Sequence, residues 1–168
     1  MEEDRILVAT ATKMGSTAEI GAAIAERLRS AGFVVDQQAT GDVRSVEPYS
    51  AIVLGSAVYM MRWRGEAISF LSRFERELGE RDVWLFQSGP LDRSAEEKTI
   101  PLPRKVGARL SRIGFRGHAT FGGMIDPEHA DGFVARSMAK KGKQDFRDFE
   151  RIRAWGDLIA SQLGAKVA

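Results

Sequence analysis

The chain has 168 residues, a formal net charge of +2 and no cysteine, which suits one domain and excludes disulfides, thiol redox chemistry and cysteine metal sites. Its sequence pI of about 9.1 is too mildly basic to point to nucleic acid. No apolar run approaches the roughly 20 residues that span a membrane, and the acidic start Met1-Glu2-Glu3-Asp4 is no signal peptide, so a cytoplasmic protein is expected.

Ile6-Leu7-Val8-Ala9 is a short apolar run of the kind a buried strand makes. The polar turn Thr12-Lys13-Met14-Gly15-Ser16-Thr17 follows, and then Ile20, Ala23, Ile24, Leu28 and Ala31 recur at helical spacing. Ser16 and Glu19 fit a capping box, and Gly32 a left-handed stop. The first amides of a helix lack internal partners and carry the positive end of its dipole. With hydroxyls at Thr12, Ser16 and Thr17, and Gly15 allowing close approach, this turn suits a phosphate; an ordinary capped helix behind a strand is the alternative.

Phe33 to Asp36 reads as a second strand, and Gly41 to Pro48 leaves room for about one helical turn. Ala51-Ile52-Val53-Leu54 is wholly apolar, as in a strand buried on both faces. It runs into a loop, Gly55 to Tyr59, and a helix from about Arg62 to Gly79. Val83 to Phe86 is a fourth strand ending in Gln87-Ser88-Gly89-Pro90, followed by a long loop from Leu91 to Pro103. A helix is expected over Lys105–Ile113, a fifth strand over His118–Met124, a helix over Phe133–Lys141, and a strong last helix through Phe149, Ile152, Trp155, Ile159 and Leu163, stopping at Gly164.

Strands alternating with helices predict one α/β domain over 1–168 with an open parallel sheet. Ligands of such sheets bind beyond the carboxyl ends of the strands. There the first, third and fourth strands carry small or polar residues, with Tyr59 or Trp63 available to stack on a flat ring. No G-x-x-x-x-G-K-[ST] and no G-x-G-x-x-G is present. His118 and His129 have no partner at metal-ligand spacing, so no metal site is expected, and Ser16 and Ser88 lack a His–Asp relay. Basic residues cluster at Arg104, Lys105, Arg109, Arg112 and Arg116, and again at Arg136, Lys140, Lys141 and Lys143. These read as two solvated helix faces or as surfaces for an anionic partner.

The turn Thr12 to Thr17 with Ala18-Glu19-Ile20 resembles the FMN phosphate loop of flavodoxins, and more closely that of the flavodoxin-domain family that includes menaquinone-dependent protoporphyrinogen oxidase. Gly55-Ser56-Ala57-Val58-Tyr59 resembles that family's second flavin loop, Gln87-Ser88-Gly89-Pro90-Leu91 falls at its third, and Asp145-Phe146-Arg147-Asp148-Phe149 is similar to the start of its last helix. The resemblance implies a flavodoxin-like three-layer sandwich with a five-stranded parallel sheet of order 2-1-3-4-5. It implies FMN held by the turn that contains Thr12, Lys13, Met14, Gly15, Ser16 and Thr17, bordered by Ser56, Ala57, Val58 and Tyr59 on one side and by Ser88 and Gly89 on the other. The activity it implies is that of an FMN-dependent oxidoreductase working on a porphyrinogen- or quinone-like small molecule. A flavodoxin-type carrier with a redox partner protein, or a non-catalytic protein of the same fold, are the alternatives. The stretch Pro127 to Gln144 is polar and basic rather than apolar, so only weak peripheral attraction to anionic lipid is expected, through Lys140, Lys141 and Lys143.

Overall fold

The computed structural model describes residues 4–13, 15–97, 100–125 and 144–164. Five parallel strands form the main sheet in the order β2-β1-β3-β5-β6: β1 (Arg5–Ala11), β2 (Val34–Ala39), β3 (Ala51–Tyr59), β5 (Asp82–Ser88) and β6 (Gly117–Phe121). The short strand β4 (Arg62–Trp63) pairs antiparallel with the end of β3. With that hairpin set aside, the order is 2-1-3-4-5, as the family resemblance implies.

Alternate side chains of the central strands feed two cores. Leu7, Ala9, Ile52, Leu54 and Leu85 pack with Phe70 and Leu71 of α2 (Gly65–Arg73), Leu78 of α3 (Glu75–Leu78) and Val106 and Leu110 of α5 (Arg104–Ile113). On the other face Ile6, Val8, Val53, Trp84 and Phe86 pack with Ile20, Ile24 and Leu28 of α1 (Ser16–Ser30) and with Ile152 and Ile159 of the last helix, α6 (Phe149–Gln162). Strict alternation on a pleat places neighbours on opposite faces, and here both faces are covered. That is the reason the strands read as continuous apolar runs.

α1 ends as its sequence predicts. Gly32 has φ 98°, Phe33 N–H bonds to Leu28 carbonyl at 3.2 Å, and Gly32 N–H to Arg29 carbonyl at 3.0 Å. That double bond pattern is a Schellman stop. α6 starts on Asp148, whose carboxylate accepts from Glu150 N–H and Arg151 N–H, and Gly164 beyond its end has φ 80°.

Several boundaries differ from expectation, each for a packing reason. β3 runs on through Gly55–Tyr59 instead of looping, because Ser56 still pairs with Ala11 of β1 and Ala57 with Ser88 of β5. Glycine is needed at residue 55 of that strand because the Phe86 ring lies against it, with ring carbon Cζ only 2.0 Å from where a Cβ would sit. The helix expected from Arg62 begins at Gly65, since Arg62 and Trp63 are taken by the hairpin. It breaks at Phe74, where φ is −111° and ψ 20°. The expected loop 91–103 contains a short helix, α4 (Ser94–Glu97).

The fifth strand stops at Phe121. Met124–Ile125 (β7) turns off to pair with Gln144–Asp145 (β8). The break is Gly122-Gly123, where three stretches of backbone meet: a Cβ would lie 2.0 Å from the Phe146 carbonyl oxygen at Gly122, and 2.9 Å from that of Gly89 at Gly123. Met14, His129, Pro127, the expected helix over Phe133–Lys141 and the basic residues Arg136, Lys140, Lys141 and Lys143 lie outside the described residues.

Candidate functional site

The carboxyl ends of β1, β3 and β5 lie side by side, so the turn after β1, the hairpin after β3 and the turn after β5 share one edge of the sheet. In the first turn Thr12 Oγ1 accepts from Gly15 N–H at 2.9 Å, which folds the turn back on itself. Gly15 has φ 87° and open space around the position of a Cβ, so it is the conformation that requires glycine there.

The expected capping box does not form. Gly15 is the N-cap, so the N-cap position has no side chain to bond the first turn of α1. Ser16 is instead the first helical residue, and Glu19 is drawn sideways into an ion pair with Arg147. The N-terminus of α1, the positive end of its dipole, thus opens beside the hydroxyls of Ser16 and Thr17. That is the arrangement an anion completes.

One hydrogen bond ties this turn to the third loop. Thr17 Oγ1 and Ser88 Oγ are 2.9 Å apart, and both residues are buried. Gly89 is squeezed on its other side, since a Cβ there would lie 2.6 Å from the Val58 carbonyl oxygen. First, third and second loops are thus in direct contact in that order.

The second loop is a hairpin, not a free loop. Val58 pairs with Trp63 and Tyr59 with Arg62, closed by Met60 and Met61 with φ 50° and 62°. Two positive-φ residues make the tight turn whose twist suits a hairpin, usually built from Asn and Gly. Ser56 Oγ accepts from Arg64 N–H at 3.0 Å and donates to the Ala57 carbonyl at 2.9 Å, so its hydroxyl shapes the hairpin from within. Trp63, expected as a candidate for ring stacking, is 6% exposed. Its Nε1–H donates to Gln87 Oε1 at 3.0 Å, so it braces the hairpin from below. Tyr59 is 41% exposed, with the Lys13 ammonium 5.5 Å from its ring centre. First and second loops therefore meet through a cation–π contact.

The strain at the tip gives a stability prediction. Each left-handed non-glycine residue costs roughly 1–2 kcal/mol. Replacing Met60-Met61 by Asn-Gly is expected to raise stability by about 1 kcal/mol and the melting temperature by about 2–4 °C, measured by calorimetry. A lower melting temperature would mean that the two methionines hold the turn by contacts of their own.

Two residues that the sequence reading left without a role organise this edge. Gln87 is buried and fully engaged: besides accepting from Trp63, its Nε2 donates to Thr120 Oγ1 at 2.9 Å and to the Pro101 carbonyl at 3.2 Å. The signal for it was an amide directly after the apolar run Val83 to Phe86. Arg147 is the other. Its pKa is raised, chiefly by the Asp145 carboxylate and with Glu19 adding, against the opposing effect of burial.

The first basic cluster separates along α5. Arg109 donates to Ser72, Arg112 pairs with Glu75 at 3.8 Å, and Arg116 pairs with Asp82 at the start of β5 at 3.7 Å. The last of these lies at the opposite end of the sheet from the three loops, so the cluster does not face the site as one surface. Among the described residues no helix is long and apolar enough to cross a membrane, and no group of three or more His, Asp or Glu is placed to hold a metal.

A parallel sheet of this order, with helices on both faces, defines an α/β protein of the flavodoxin-like fold. A family model described as a flavodoxin domain matches residues 7–149, and the chain belongs to that family. Similar solved structures include oxidised flavodoxin 1 of Bacillus cereus (TM-score 0.65, 15% identity, 96% of this chain and 100% of that one) and oxidised flavodoxin 2 of the same organism (TM-score 0.64, 21% identity, 94% and 99%). The rubredoxin oxygen:oxidoreductase of Desulfovibrio gigas is similar over 96% of this chain (TM-score 0.62, 13% identity), and the likeness spans only 37% of that larger protein. No curated protein sequence matches the chain.

The cofactor of the family is FMN, and this chain is an FMN-binding protein. The first turn fits that group: Gly15, in a left-handed conformation, gives open backbone at the N-terminus of α1 beside the buried hydroxyls of Ser16 and Thr17, and that chemistry suits its phosphate.

Proposed function

We propose that this protein is an FMN-dependent oxidoreductase that works on a flat, quinone- or porphyrinogen-like molecule. In this reading Thr12, Lys13, Gly15, Ser16 and Thr17 hold the FMN phosphate. Ala57, Val58 and Tyr59 line one side of the ring, and Ser88 and Gly89 approach the other. The observation that carries the reading is the buried Thr17–Ser88 hydrogen bond, which joins the phosphate turn to one wall of the ring site. FMN supplies hydride or electron transfer when bound; the chain holds it in place and decides what reaches it.

The chemistry of the exposed edge favours a substrate over an acidic docking patch. Tyr59, Met60 and Met61 give that edge a protruding apolar lip, the methionines 73% and 79% exposed. Lys13 and Arg62 beside it are cationic, and the whole chain carries +2. A flat apolar molecule with anionic or carbonyl oxygens matches that lip. The carrier reading is supported by the extent of the likeness, which takes in nearly the whole length of small flavodoxins.

Stepwise photoreduction of the FMN-loaded protein, followed by absorbance, divides the two. An oxidoreductase of this kind is expected to take up its electrons in one two-electron stage and to be reoxidised rapidly by a soluble quinone. Reduction in two well-separated one-electron stages, with no reoxidation by any quinone, would establish the carrier instead.

A further inference from the structure

Arg147 precedes α6, far from the phosphate turn in sequence, yet its side chain is 7% exposed and lies against the first turn of α1. Taking a guanidinium out of water is costly unless its donors are satisfied. Asp145 alone goes far toward that: Nε donates to Oδ1 at 3.0 Å and Nη2 to Oδ2 at 2.9 Å, a bidentate pair. The remaining donors reach outward. Nη1 bonds to the Glu19 carboxylate and to the Ser16 carbonyl at 3.5 Å, and Nη2 to Met124 Sδ at 3.1 Å. The guanidinium also lies over the Phe149 ring, 5.1 Å from its centre.

We propose that Arg147 is a positioning residue for phosphate binding: it locks the first turn of α1 and ties down Glu19, the acidic residue of that turn. The inference rests on the placement of the FMN phosphate in the Thr12–Thr17 turn. Two effects follow from the geometry. The contact with the Ser16 carbonyl holds the leading amides of α1 in the orientation a phosphate needs, so less ordering is left for binding. The pair with Glu19 screens part of a negative charge that lies within one helical turn of an incoming dianion, with Asp145 sharing the same cation. This also explains why Glu19 does not cap its own helix.

The test compares FMN with riboflavin, which has the same ring and no phosphate. Dissociation constants of both are measured by fluorescence quenching on apoprotein of the wild type, Arg147→Ala and Arg147→Lys. Wild type is expected to prefer FMN. Arg147→Ala is expected to weaken FMN about tenfold or more while riboflavin stays within about twofold. Arg147→Lys keeps the charge without the fork; it is expected to weaken FMN less, again sparing riboflavin, and it serves if the alanine variant does not fold. An unchanged FMN-to-riboflavin preference in the folded variants overturns the proposal, because a merely structural arginine would weaken both ligands alike. No preference in the wild type would instead overturn the placement of the phosphate in the first turn.

Discussion

Replacing Gln87 by leucine is expected to destabilise the protein by about 2 kcal/mol, although the two side chains are similar in volume. The amide is buried between three elements that come from distant parts of the chain. Its oxygen accepts from Trp63 of the hairpin, and its nitrogen donates to Thr120 of β6 and to the Pro101 carbonyl. Leucine leaves the buried indole N–H without its partner, at about 1–3 kcal/mol for an unsatisfied group, whereas the carbonyl of exposed Pro101 can turn to water. Thr120 keeps a long contact of 3.5 Å to the Ile100 carbonyl, which limits its share. The effect is read by urea denaturation, and a loss below about 0.5 kcal/mol would mean that water replaces the amide. A double-mutant cycle with Trp63→Phe isolates the indole bond, with an expected coupling of about 0.5–3 kcal/mol. FMN affinity should fall as well, because the hairpin that carries Val58 and Tyr59 loses its brace.

How much of this was legible in the sequence depends on the range of the forces involved. The strand–turn–helix at Ile6 to Leu28 was readable because periodicity and turn chemistry are local. The two-faced burial of Ala51–Leu54 left no polar position and so announced a central strand. The extension of β3 to Tyr59 was not readable, since Gly55, Ser56 and Ala57 give no hydrophobic signal; their strand is made by β1 and β5 on either side. Trp63 looked like a stacking residue because an aromatic after a strand end is ambiguous until its indole partner, Gln87, is known. The capping box at Ser16 and Glu19 satisfied the local rule and still failed, because an arginine 128 residues away offered Glu19 a stronger partner than an amide does. The three loops could be ordered along one edge from topology alone. Their mutual contacts, Thr17 to Ser88 and Gly89 to Val58, depend on side-chain and backbone distances that no spacing rule encodes.

The contact between the second and third loops makes Gly89→Ala the sharpest test of the site's walls. A Cβ at residue 89 would lie 2.6 Å from the Val58 carbonyl oxygen and 3.2 Å from Val58 Cβ. The obstacle is backbone, so no rotamer change relieves it. Retreat on the other side is blocked as well, because Gly123 already packs on Gly89 so closely that a Cβ at residue 123 would lie 3.0 Å from Gly89 Cα. The hairpin must therefore give way and carry Tyr59 with it. Overpacking of this kind costs about 1–3 kcal/mol, and if the strain falls on the bound state FMN affinity drops about tenfold to a hundredfold. Gly41→Ala is the control, with nothing within 4 Å of its Cβ and no positive φ, and should bind FMN as the wild type does. Affinities are read by quenching of FMN fluorescence on apoprotein. A Gly89→Ala protein that binds within about threefold of wild type would show that the hairpin moves freely, and that Val58 and Tyr59 do not set the width of the ring site.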